Sequence, residues 1–306
     1  MKKITTIIWC FIDGKKGHEN QSVGLINQLE SKVKCITHYI DVPAKNSFFS
    51  ALVFNKLSVL KVLRKPSLII GAGHKTHLYV LYAKFFFGGK SILLMKPSLP
   101  VKWFDLSVIP EHDVGNLSKS IYITKGPLVK ITHKKYKQIR GQNLVLIGGE
   151  SKHYEWDSNK IINQLKEIVE NNPKESFILS SSRRTPKNFI AKIPQQIKSN
   201  IKIVLCHETN ESWMNKVMAQ SNYIWVTVDS YSMIYESLNS AAKVGVLNLK
   251  NKNTKLTKAI TKLISEKKVF TWDKKQTYKT NKKIIYKSNE TESCSKYIIK
   301  RFINKI

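Results

Sequence analysis

Short apolar runs rich in β-branched residues recur along the chain, each ending at a loop of Gly, Ser, His or charged residues and followed by helical spacing. In the first half they cover 4–12, 34–40, 67–70, 91–95, 106–109 and 121–124. In the second half they cover 143–147, 176–180, 201–206, 223–227 and 244–247. This alternation predicts an α/β protein with parallel sheets. The polar stretch 125–141, with Gly126-Pro127 and several Lys, reads as a connection. It predicts an N-terminal domain over 1–140, a second domain over 141–250 and a Lys-rich helical extension over 251–306. No fixed-period repeat appears, which removes solenoid and propeller architectures. Two such sheets in series, with polar motifs at the carboxyl ends of their strands, predict two Rossmann-like domains facing a ligand cleft.

Composition narrows the class. The 306 residues are 42% hydrophobic and 24% charged, with 13 Gly and 9 Pro, which excludes a disordered or low-complexity chain. The unusual quantity is a formal net charge of +31. Such a field attracts nucleic acid, anionic lipid or phosphorylated ligands, and a merely solvated basic surface is the competing explanation. Arg64, Arg140, Arg183, Arg184 and Arg301 are the chain's only arginines; Lys supplies the other positive charges. No recognition-helix, aromatic RNP or zinc-finger pattern accompanies the charge, so specific nucleic-acid binding is not expected. Cys10, Cys35, Cys206 and Cys294 share no CxxC spacing and read as reduced thiols, pointing to a reducing compartment. Lys2-Lys3 and the apolar run after them imitate a signal peptide, but Asp13-Gly14-Lys15-Lys16 follows, so a first strand fits better. The segment 78–95 is broken by Lys84, Gly88, Gly89 and Lys90 and is no membrane span.

The chemistry concentrates at the predicted strand ends. Asp13, Gly14, Lys15, His18, Glu19 and Gln21 crowd the first loop, where His18 and Glu19 are candidate bases. This loop is neither GxGxxG nor GxxxxGK[ST]. Gly73, His74 and His77 follow the third run, and Glu111, His112 and Asp113 follow the fifth, where the carboxylates could orient an imidazole or accept substrate hydroxyls. His74 and His77 lack a third zinc ligand, so no metal is expected. In the second half Gly148-Gly149 and Ser151 could bring amides to a phosphate. Ser182, Arg183 and Arg184 supply a hydroxyl and two guanidiniums, the latter suited to bidentate anion contacts that Lys cannot make. Asp229, Ser230 and Ser232 open a predicted helix where Asp229 or Ser230 could cap, and Glu236 lies about two turns in, able to bind a ribose diol. The bland alternatives are capped turns, solvated charges and an exposed helical Glu.

The strings DGKKGHENQS, GAGHKTH, LLMKPSLP, FDLSVIPEHD, LIGGESKHYEWD, SSRRTP and VTVDSYSMIYES, in that order over 13–240, resemble the mitochondrial-fission "elongated mitochondria" family and its bacterial relatives. The arrangement also looks like two-domain GT-B glycosyltransferases. That resemblance implies a C-terminal domain holding a nucleotide-sugar through Gly148-Gly149, Ser182-Arg183 and Ser230 to Glu236, and an N-terminal domain holding acceptor and base. It implies metal-independent transfer with no cofactor beyond the donor. A sugar epimerase of the dinucleotide-binding kind is not implied, because the first strand ends in DGKKGHENQ instead of GxxGxxG. The residues 239–243, Asn-Ser-Ala-Ala-Lys, depart from the Gly that related transferases carry before the next strand.

The expectation is therefore a cytoplasmic glycosyltransferase, peripheral on the inner face of a membrane, that acts on a lipid-linked or cell-envelope acceptor. His18 would be its base, with Glu19 second. The apolar segment 78–87 with nearby Lys would meet the anionic membrane. The alternative is a noncatalytic protein of the same fold acting as a membrane or protein interaction module.

Overall fold

The strand Thr6–Ile12 (β1) sends Ile8 and Cys10 into one apolar layer and Ile7, Trp9 and Phe11 into another. Burial on both faces is what a central parallel strand requires. The computed structural model describes residues 5–43, 59–130, 136–252, 254–272 and 290–304. Its first sheet continues with β2 (Cys35–Asp41), β3 (Leu68–Ala72), β4 (Lys90–Leu94), β5 (Leu106–Pro110) and β6 (Ile121–Thr124). Their order is β2-β1-β3-β4-β5-β6, and each pairing is parallel. Helix α1 (Lys16–Glu30) leaves β1 and packs Leu25, Ile26 and Leu29 onto the Ile8 layer. Helix α2 (His77–Phe87) leaves β3 and packs Tyr79, Val80 and Ala83 onto the Trp9 layer.

The second sheet is built the same way. It contains β7 (Gln142–Leu146), β9 (Ser176–Ser180), β10 (Ile201–Val204), β11 (Tyr223–Thr227), β12 (Lys243–Leu247) and β14 (Phe270–Thr271), in the order β10-β9-β7-β11-β12-β14. Its pairings are parallel throughout. A short antiparallel ladder joins β8 (Tyr154–Glu155) to β13 (Lys250–Asn251). Helix α3 (Ser158–Glu170) starts where the Asp157 carboxylate accepts from the Lys160 amide at 2.9 Å. Helix α4 (Glu211–Gln220) starts where Asn210 accepts from the Trp213 amide at 2.8 Å. Both are N-caps that satisfy an otherwise orphaned donor. Helices α5 (Tyr231–Leu238) and α6 (Lys255–Ser265) follow.

The last helix, α7 (Glu290–Ile298), returns to the first sheet. Cys294 and Ile298 are fully buried in the layer formed by Ile8, Leu25 and Leu29. The Thr291 hydroxyl accepts from the Val129 amide at 3.0 Å and donates to its carbonyl at 2.9 Å. The chain thus divides into Met1–Lys130 with Asn289–Ile306, and Ile131–Ser288. This differs from the expected 1–140, 141–250 and 251–306: α6 and β14 complete the second unit, and α7 completes the first. Residue 4 of the first expected strand and residues 131–135 of the expected connection lie outside the described residues. All four cysteines are free, and burial pushes the Cys10 thiol up to about 12.

Candidate functional site

In the first unit the chemistry gathers where β1 turns into α1. His18 stands in the first turn of α1, with Nδ1 2.8 Å from Asp13 Oδ2. The Asp13 side chain is wholly buried, while 18% of the His18 side chain is exposed. The second Asp13 oxygen accepts from the Lys15 amide at 3.1 Å. An ionised carboxylate only accepts, so opposite one Nδ1 is the donor, and a neutral ring then presents its lone pair at Nε2. The loop after β3 shapes the seat of this ring. Gly73 has φ of +80°, and a methyl group there would overlap the imidazole.

The other first-unit candidates are distributed around this pair. Gly14, Lys15, His74 and Glu111 are exposed, and Glu19 is half-buried in the first turn of α1. Gln21 is turned back on its own helix, donating to the Gly17 carbonyl at 3.4 Å. His77 is buried against Phe104, with Nδ1 3.2 Å from the Ser98 hydroxyl. Burial, reinforced by His74, pushes its pKa down to about 4, so it is a neutral packing group. His112 and Asp113 share the turn after β5, 3.5 Å apart.

In the second unit the loops after β7, β9 and β11 interlock. The Gly148 amide donates to the Thr227 hydroxyl at 2.7 Å, and the Gly149 amide donates to Asp229 Oδ2 at 3.1 Å. The Ser182 and Thr185 hydroxyls both donate to the Gly148 carbonyl, at 2.8 and 2.5 Å. Arg184 lies 2.8 Å from Asp229 Oδ2 and donates to the carbonyls of Gly149 and Glu150 and to the Ser230 hydroxyl. A Cβ on Gly149 would overlap the Arg184 backbone, so this close approach needs glycine. Asp229 Oδ1 is buried without a hydrogen-bond partner among the described residues. Tyr154 is buried nearby, and burial together with the charge of Asp229 pushes its phenol up.

The structure therefore brings Gly148, Gly149, Ser182, Arg184, Asp229 and Ser230 together. The amides of the glycine pair are already engaged by side chains, which alters the expectation that they stand open to a phosphate. Ser230 occupies the cap position of α5 without a side-chain capping bond, and Asp229 does not cap α5 either. The Ser151 hydroxyl accepts from the amides of His153 and Tyr154 in its own turn. Ser232 is exposed and Glu236 is half-buried on α5. Thr185 and Thr227 were not singled out from sequence. Thr227 meets its glycine from 79 positions away, and its only local signal is a polar residue closing an apolar strand.

One further surface is distinctive. On α2 Phe85 is 82% and Phe86 62% exposed, and Leu78, Trp103 and Val62 are also exposed. Lys61, Lys65, Lys90 and Lys102 are exposed in the flanking segments. Among the described residues no group of three or more His, Cys, Asp or Glu side chains is placed to hold a metal ion, and no helix is long and apolar enough to cross a membrane.

Comparison with known proteins bears on the fold and the family. An uncharacterized protein, RP120, of Rickettsia prowazekii strain Madrid E is 25% identical over 317 residues, covering 86% of this chain and 89% of that protein. Among solved structures, a putative UDP-N-acetylglucosamine 2-epimerase from Listeria monocytogenes superposes with a TM-score of 0.69 at 12% identity, covering 99% of this chain and 98% of that one. The UDP-GlcNAc 2-epimerase of Neisseria meningitidis bound to UDP-GlcNAc gives 0.62 at 12% identity, covering 99% and 100%. MurG of Acinetobacter baumannii gives 0.53 at 11% identity, covering 98% and 100%. At such identities the likeness is one of fold, and the fold is of the GT-B type. Residues 16–302 match the family described as Mitochondrial fission ELM1, and the chain belongs to that family.

Proposed function

We propose that the chain is a glycosyltransferase that binds a nucleotide-sugar in its second unit and passes the sugar to a hydroxyl of a lipid-linked or cell-envelope acceptor. The observation that carries this reading is the buried Asp13 carboxylate holding His18 by Nδ1 at a strand end. An imidazole so held has one tautomer and one free lone pair, the requirement for a general base. Nε2 takes the acceptor proton, the acceptor oxygen bonds to the anomeric carbon, and the nucleoside diphosphate leaves with the electron pair of the broken bond. Glu19, one residue on, is the second candidate base. On the donor side Arg183 is assigned to the diphosphate and Glu236 to the ribose diol, with the loop of Gly148, Gly149, Ser182 and Ser230 framing them. The fold shared with a protein bound to UDP-GlcNAc supports a nucleotide-sugar as ligand.

The test is thermal stabilisation of the full chain by UDP, GDP, CMP, ADP and dTDP, with and without EDTA. A ligand specific for the folded state adds about 2.7 kcal/mol at 100 times its Kd. His18→Ala should keep that stabilisation and lose turnover; an active variant would move the base to Glu19 or elsewhere. A chain stabilised by none of the five would favour the noncatalytic interaction module.

The same reading places the protein peripherally on an anionic membrane, with the exposed Phe85, Phe86 and Trp103 entering the lipid interface and the adjacent lysines meeting headgroups. Co-sedimentation with vesicles containing an anionic phospholipid should exceed that with neutral vesicles. It should fall in the double variant Phe85→Ser, Phe86→Ser. Equal binding by that variant would take the membrane contact off this surface.

A further inference from the structure

Arg183 and Arg184 are adjacent in one loop, yet their engagements are opposite. Arg184 is bonded to Asp229, Ser230 and two carbonyls of the glycine loop. Arg183 is exposed and has no hydrogen-bond or ion-pair partner among the described residues. We propose that the two divide their work: Arg184 is the clasp that holds the glycine loop to the start of α5, and Arg183 is the cation that meets an anionic ligand there. For the ligand's identity as a nucleoside diphosphate, the inference rests on the function proposed above.

The argument is one of competing costs. Asp229 has a side chain with no solvent exposure, and the guanidinium 2.8 Å away compensates its charge. A phosphate that drew Arg184 away would strand a buried carboxylate, and breaking such a pair from one side is strongly destabilising. The loop would lose its fastening at the same time, since the same guanidinium holds the Gly149 and Glu150 carbonyls. Arg183 gives up no protein contact on binding. The glycine amides offer no cheaper route, because Thr227 and Asp229 already accept from them. An anion at this strand end is therefore met by the unengaged fork, whose planar donors suit a diphosphate.

The experiment uses the full chain and two titrants, UDP and inorganic pyrophosphate, read by calorimetry, with melting of the ligand-free protein read alongside. Arg183→Ala should melt like the wild type and bind at least tenfold more weakly, and Arg183→Lys should recover part of the affinity. Arg184→Ala should melt well below the wild type without ligand. Should it fail to fold, Arg184→Lys, which keeps the charge and loses the fork, and Asp229→Asn should each lower the melting temperature. Wild-type affinity in Arg183→Ala overturns the assignment, as does loss of binding in Arg184→Ala with unchanged melting. If pyrophosphate binds and UDP adds nothing, the nucleotide reading fails while the division of labour stands. If the wild type binds neither titrant, the anion role of Arg183 is overturned.

Discussion

At the scale of single residues, burial separates histidines that sequence alone presents as equals. His18 keeps a partly exposed ring held by a buried carboxylate, whereas His77 is 2% exposed beneath Phe104. The folded state keeps His77 neutral down to about pH 4, while the unfolded chain protonates it near 6.5. Between those values the unfolded state binds more protons, so stability is complete above pH 6.5 and is lost as pH falls toward 4. The loss should reach on the order of 2–3 kcal/mol. Comparing the pH dependence of melting in the wild type and His77→Gln isolates the effect, and the variant should show a flatter curve in that window. Gly149 makes a second residue-scale case, because a β-carbon there collides with the Arg184 backbone. Gly149→Ala should destabilise the second unit by roughly 1–3 kcal/mol, as overpacking does, visible as a lowered denaturation midpoint.

Among elements, the long apolar strands were legible in the sequence because parallel strands covered on both faces must be apolar in both directions, and β1, β3, β5 and β11 meet that condition. The two-residue strands β8, β13 and β14 carry too few positions for any period. The strand-end loops were legible as candidate chemistry, but their wiring was not. Nothing in the spacing of Asp13 and His18 announces that the turn folds one onto the other, and nothing beside Arg184 in the sequence announces the buried Asp229 that the fold sets against it. Helix α7 is the sharpest case, since its apolar stripe is evident but its target is α1, more than 260 positions away. Ile298 is wholly buried there. Ile298→Ala should therefore cost about 2–5 kcal/mol, measured as a shift in chemical denaturation of the first unit, with the transition of the second unit unchanged.

For the whole molecule, two sheets with separate cores imply that unfolding is not a single all-or-none event. The first core is discontinuous in sequence, because α7 supplies Cys294 and Ile298 to a layer whose other members lie before residue 130. The second core is continuous, from β7 through β14. Ending the chain at residue 288 therefore uncovers the Ile8, Leu25 and Leu29 layer and leaves the second sheet with every strand it needs. The truncated chain should lose the first unit's cooperative transition in calorimetry and keep the second. If the donor is bound within the second unit, UDP should raise only the surviving transition, by the amount mass action prescribes for its Kd. Loss of both transitions would mean that the second sheet depends on the first for its stability. A UDP shift that vanishes with the first transition would place the nucleotide contacts there instead.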